Sequence, residues 1–186
     1  LLLSAGEQPR DLAAGRIAAI VACSYPRAEL TTLSYLHQRE GADSLAGELA
    51  DAQENLNRSK LVATAILSGG SVATRRPQDE AAVLRMAELL RDPMPVLRTV
   101  RMYVESAIRR LYRHRNLILH GGFVSGDGRD DALVTVPPLV GAGVDRIVHA
   151  YLTEGLDAVQ LAARAELRLS LVGSAGDRTV ADLLEP

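Results

Sequence analysis

Between Asp92-Pro93 and Gly121-Gly122 the chain carries its longest unbroken helical pattern, and that pattern decides the fold class. Asp92 is a good capping residue, and Pro93 suits a first helical turn, where its missing N–H costs nothing. Gly121-Gly122 is the matching C-terminal stop. Within these limits Val96, Leu97, Val100, Val104, Ala107, Ile108, Leu111, Ile118 and Leu119 lie along one helical stripe. A stripe of this kind needs a core to cover it.

The remaining chain has the composition to supply that core. Of 186 residues, 47% are apolar, but only 3% are aromatic and there is no Trp. Ala and Leu supply the apolar mass, which favours helix over sheet. Helices are expected over Pro9–Ala22, Ala28–Gln38, Ser44 to about Leu67, Gln78 or Asp79 to Leu90, and Gly143–Val172. Ser24-Tyr25-Pro26 should break the first from the second, and Asp43-Ser44 should cap the third. Ser68–Pro77 reads as a basic loop with Gly-Gly and Arg-Arg-Pro. Phe123–Pro138 reads as a second loop, where Gly126-Asp127-Gly128 leaves room for a small β-hairpin at 123–136. The expected fold is all-α, a four-helix-type bundle with extra short helices. A flexible end at 1–8, a single helical domain at 9–172 and a tail at 173–186 complete the expected layout. The first residue is Leu, so a fragment of a longer protein is expected.

Several functional classes are disfavoured. Net charge is −2 and the pI about 6.1, which opposes general charge-driven coating of nucleic acid. A local basic patch is still available, because Arg98, Arg101, Arg109, Arg110, Arg113 and Arg115 share one helix with Glu105 as its only acid after Asp92. Pairing with acids on neighbouring helices is the plainer use of those arginines. Cys23 is the single Cys; it permits no intrachain disulfide, suggests a reducing, cytoplasmic compartment and suits a buried structural role. No Cys/His cluster has zinc spacing, and no apolar run reaches the roughly 18 residues of a membrane span. Gly69-Gly70-Ser71 lacks the Lys-Ser/Thr of a phosphate loop. Asp127, Asp130 and Asp131 lack the spacing and closing Glu of a calcium loop. His37, near a helix end beside Arg39 and Glu40, reads as solvated, and His149 as structural or exposed.

The chemistry-bearing pattern lies at the end of the long helix. Glu105, Arg109, Arg113, Asn116 and His120 form a polar stripe beside the apolar one. Arg115 stands apart from it. By phase it projects from the apolar stripe near Ile108, Leu111 and Leu119, where a guanidinium needs an acceptor or a partly wet interface. Glu48 or Glu54 would serve if the third helix packed beside it. His120 occupies the last turn, where the helix dipole favours imidazolium, and an Arg close by suits a phosphate. Asn116, one turn earlier, can hold the imidazole or a ligand oxygen. An ordinary solvated helix end would show the same spacing.

The run Arg115-Asn116-Leu117-Ile118-Leu119-His120, followed by Gly121-Gly122, resembles the hallmark of the HEPN superfamily. There an Arg is followed by Asn, Asp or His, then by a His four to six residues after the Arg, on a helical bundle. Arg109 with His114 has the same spacing, and Arg113 with His120 fits the version with six residues between. Asn116, the Leu-Ile-Leu filler and the helix end single out Arg115 with His120. The resemblance implies a metal-independent endoribonuclease without a cofactor, acting as a homodimer whose motif helices face each other. On that basis Arg115 would stabilise charge on the phosphate, His120 would be the general acid or base, and Asn116 would orient the imidazole. Arg109, Arg113 and His114 would bind RNA. Such domains commonly serve in toxin–antitoxin or antiviral defence systems, so an antitoxin or an upstream domain of the same protein is an expected partner. The alternative is a catalytically inactive dimerisation, RNA- or ligand-binding domain of a larger protein. A DNA-associated regulatory domain is disfavoured by the acidic pI and the lack of a helix-turn-helix signature.

Overall fold

A computed structural model describes the backbone of residues 9–121, 127–172 and 179–184, and the side chains of these apart from 9–11, 117–121, 127–139, 182 and 184. The described chain is all-helical. In order, α1 spans Pro9–Glu40, α2 Ser44–Asp51, α3 Asn55–Leu67, α4 Pro77–Arg91, α5 Pro93–Gly121, α6 Asp127–Glu154, α7 Ala158–Leu171 and α8 Ala181–Leu184. Its contacts form two compact units. One takes the chain to Ala22 together with Arg98–Leu167, and the other takes Cys23–Leu97 with the chain from Arg168.

The first unit is organised on α5, as its apolar stripe requires. Val104 and Ile108 are buried against Ala14, Ala18 and Val21 of α1, with Ile17 and Val100 packed on the cluster. Full burial of a Val or Ile contributes on the order of 1.5–3 kcal/mol, so this seam fixes the two helices together. Gly143 of α6 is also drawn in: a Cβ there would stand 3.1 Å from Ile17 Cγ2. The 123–136 hairpin expectation is overturned over 127–136, which are helical within α6; residues 123–126 lie outside the described residues. The helix expected over Gly143–Val172 is likewise divided, into the end of α6 and α7. Gly155 takes the left-handed φ of 69° and returns its N–H to Tyr151 O, the geometry of a helix C-cap. Asp157 then accepts from Val159 N and Gln160 N while its own N–H donates to Gln160 Oε1, a reciprocal capping box.

In the second unit, two expected boundaries move. Pro26 does not break α1, which runs as one helix through it. A proline inside a helix costs about 3 kcal/mol through a lost bond and a clash one turn back. Here Ala22, Pro26, Leu30, Leu33 and His37 lie at helical spacing and all are buried, so packing offsets that cost. Conversely, the helix expected from Ser44 to Leu67 is broken at Ala52-Gln53-Glu54 into α2 and α3. In α3 the buried residues are Arg58, Ser59, Val62 and Ala63, whereas Leu56, Leu61, Ala65 and Ile66 are half-buried. Arg58 stabilises the break: its Nη1 donates to the Leu49 carbonyl, freed at the end of α2. Cys23 is buried, as expected.

The cap of α2 is as expected. Asp43 accepts from Ala46 N at 3.0 Å and also from His37 Nε2 at 2.8 Å. The His37 hydrogen bond, then the Ala46 N–H, hold the Asp43 carboxyl below its ordinary value of 3.8. A lowered carboxyl pKa means the folded chain binds fewer protons than the unfolded one. The stability it lends is therefore complete above about pH 3.9 and fades as pH falls through the lower folded value. Asp43→Asn keeps a capping oxygen but removes the titration. Acid unfolding followed by circular dichroism is expected to show wild type losing its advantage over this variant below about pH 4. A constant difference between the two at all pH values would contradict the linkage.

Candidate functional site

The C-terminal turns of α5 carry the residues singled out by sequence. Burial along the α5 stripe fades in the direction of the motif: Val104 and Ile108 are buried, Leu111 is half-buried, and Arg115 is exposed. Arg115 thus continues the phase of the core stripe beyond the point where the unit covers it. Tyr112, beside it, is also exposed. Arg115 Nη1 donates to Asn116 Oδ1 at 3.2 Å. Asn116, half-buried, is thereby engaged by the guanidinium on its carbonyl side. The backbone of His120 belongs to α5, but its side chain lies outside the described residues.

The candidate RNA-binding residues divide. Arg113 is exposed and His114 half-buried, while Arg109 pairs with Glu105 one turn back at 2.6 Å. Arg101 reaches Glu166 of α7 at 3.7 Å. Exposed ion pairs of this kind contribute about 0–1 kcal/mol, so neither fixes its arginine firmly. Among the described residues, Arg98, Arg110, Arg113 and Arg115 have no carboxylate at ion-pair distance. Pairing with an acid on a neighbouring helix therefore accounts for Arg101, while Arg109 pairs within α5; by helical phase Arg98, Arg110 and Arg113 share one side of α5 and Arg115 lies on the other, on a chain that is slightly acidic overall. His149 is exposed.

Two polar groups of the second unit are buried against expectation: Arg58, not singled out in the sequence, and His37, read there as solvated. Arg58 is 4% exposed. Its guanidinium bonds Ser34 Oγ at 3.2 Å, Gln38 Oε1 and the Leu49 carbonyl, and lies 4.0 Å from the centre of the Tyr35 ring. All of these acceptors are neutral. His37, expected to be solvated, is 1% exposed. Its Nε2 meets Asp43, and its Nδ1 accepts from Ala73 N at 2.9 Å. The signal was available: His37 follows Leu30 and Leu33 at spacings of seven and four, on the same buried stripe.

The same unit holds an open groove of about 640 Å³ between α2, α3 and the loop after α3. Asp43, Glu48, Asn57, Lys60, Ser68 and Ser71 are among its lining residues. The hydroxyl of Ser68 donates to Ala65 O and that of Thr64, also on the wall, to Lys60 O, so both turn lone pairs outward. Among the described residues no group of three His, Cys, Asp or Glu side chains is placed to hold a metal ion, and no helix is long and apolar enough to cross a membrane. Comparison with protein-family models, with curated proteins and with solved structures finds no match for this chain.

Proposed function

We propose that the protein is a HEPN-like, metal-independent endoribonuclease of the four-helix-bundle type, whose site forms where the α5 ends of two copies meet. The observation that carries this is Arg115: an exposed guanidinium at the phase of a core stripe, bonded to Asn116. A solvated arginine needs no such position, whereas a seam between two copies would cover the stripe and bring two guanidinium groups to one phosphate. In this role Arg115 stabilises charge building on the phosphoryl oxygens. His120 takes the proton of the RNA 2′-hydroxyl or returns one to the leaving 5′-oxygen, leaving a cyclic phosphate. Arg109, Arg113 and His114 hold the flanking phosphates. The bond from Arg115 to Asn116 supports a modified role for Asn116, which aligns the guanidinium and leaves the imidazole to other groups. A cytoplasmic bacterial defence or toxin–antitoxin setting, with an antitoxin or adjoining domain as regulator, fits this activity.

The second reading is a non-catalytic helical module that binds RNA or another ligand. The groove lined by Asp43, Asn57 and Lys60 favours it, because it is separate in sequence from the α5 motif. Labelled RNA incubated with the protein in EDTA distinguishes the two. Fragments ending in cyclic phosphate are expected; RNA that stays intact while remaining bound rejects cleavage and leaves the module.

A further inference from the structure

The His37 ring is buried and both of its nitrogens are committed. Nδ1 accepts from the Ala73 backbone N–H, and a nitrogen that accepts carries no proton. The ring is therefore neutral, with its proton on Nε2 and directed at Asp43 Oδ1. Gly41 closes the remaining side. A Cβ at Gly41 would stand 2.9 Å from ring Cε1 and Nε2, so the backbone is packed directly on the imidazole. With both nitrogens committed, any change in its protonation must be met by its partners.

The charged group that meets the ring is Asp43 at the cap of α2; close by along α1, Glu40 stands three residues on with its partners Arg39 and Arg75, and Arg58 of α3 bonds the adjacent Gln38. Arg58 is held one turn away by Ser34 and Gln38, and Glu40 is held by its two arginines. Asp43 stays ionised across the range in which a histidine titrates, since its carboxyl is already below the ordinary value. Protonation of His37 therefore keeps the contact with Asp43 and destroys the one with Ala73, because two N–H groups then face each other.

We propose that His37 is a proton-operated latch: neutral, it ties the segment after α3 to α1 through Ala73, and protonated, it gives up that tie and loosens the backbone next to the groove-lining Gly70 and Ser71. The segment's other attachments flank Ala73. Gly70 N donates to Ala65 O at 2.8 Å, Val72 is buried, and Arg75 pairs with Glu40. Release at Ala73 is accordingly local, and it acts on the neighbouring groove-lining residues Gly70 and Ser71. The latch belongs to the second unit and is independent of the nuclease proposal.

Amide hydrogen exchange of the full chain, followed by NMR at about pH 7.5 and about pH 5 and corrected for intrinsic rates, tests this. The Ala73 amide is expected to lose roughly 3- to 10-fold in protection, the worth of one hydrogen bond, with the midpoint of the His37 ring resonances. The Leu49 amide in the same unit should keep its protection. In His37→Gln the Ala73 protection should not change with pH. Three results would overturn the latch: Ala73 protection unchanged while the ring titrates, a ring that does not titrate in this window, or an equal loss at Leu49. Should the Gln variant fail to fold, the comparison of Ala73 with Leu49 in the wild type still decides.

Discussion

Arg58→Met is expected to lower the stability of the protein by about 3 kcal/mol, the largest loss from any single polar substitution described above. The side chain is 4% exposed and ties α3 to two other helices at once. It satisfies the Leu49 carbonyl at the end of α2, bonds Ser34 and Gln38 on α1, and stacks on Tyr35. Met fills much of the volume but donates nothing. A buried carbonyl left without a donor costs about 1–3 kcal/mol, and the lost cation–π contact about 1 kcal/mol more. Arg58→Lys should recover little, since a compact ammonium cannot reach acceptors on two helices and keep the planar stack. Thermal unfolding followed by circular dichroism should show a midpoint lower by roughly 6–12 °C for Met. Arg113→Met, at an exposed position of α5, should stay within about 1–2 °C.

The second large effect is expected in RNA cleavage. Arg115→Ala removes the group assigned to the developing phosphate charge, and His120→Ala the group assigned to proton transfer. Each is expected to lower the cleavage rate by about 10²- to 10⁴-fold. Arg115→Lys should fall between, because it keeps the charge and loses the paired donors. Asn116→Ala should cost about 10-fold, through the alignment of Arg115 alone. Arg115 is exposed, so its variants should leave the unfolding midpoint within about 2 °C of wild type. Loss of activity without loss of stability separates a site residue from a structural one, and Arg58 is the built-in contrast.

Much of the fold was legible because punctuation and periodicity agreed. Pro93 opens α5 and Asp43 caps α2, each as its residue type requires, whereas Pro77, expected at the end of a loop, stands in the first turn of α4. The failures share one cause: tertiary partners outvoted local signals. Pro26 is a helix breaker in isolation, yet the buried run from Ala22 to His37 holds α1 together. Ala52–Glu54 contains no Gly or Pro to announce a break. The signal was Arg58, whose spacing to Val62 puts a cation on a buried face and thus demands free carbonyls nearby. Asp157 and Gln160 did announce the start of α7, but an apolar stripe drawn across Gly155 obscured them. The turn chemistry of Gly126-Asp127-Gly128 suggested a hairpin, whereas Asp127 and Gly128 lie in helix α6. At the candidate site, helical phase alone placed Arg115 on the core stripe. Whether that stripe was still covered at its end depends on the other helices, and one sequence does not encode that locally.

The most direct measurement compares wild type, Arg115→Ala and His120→Ala on one labelled RNA in EDTA, at equal folded concentration. The account predicts cleavage by wild type alone, with both variants slower by at least about 100-fold. Equal cleavage by all three proteins would contradict it.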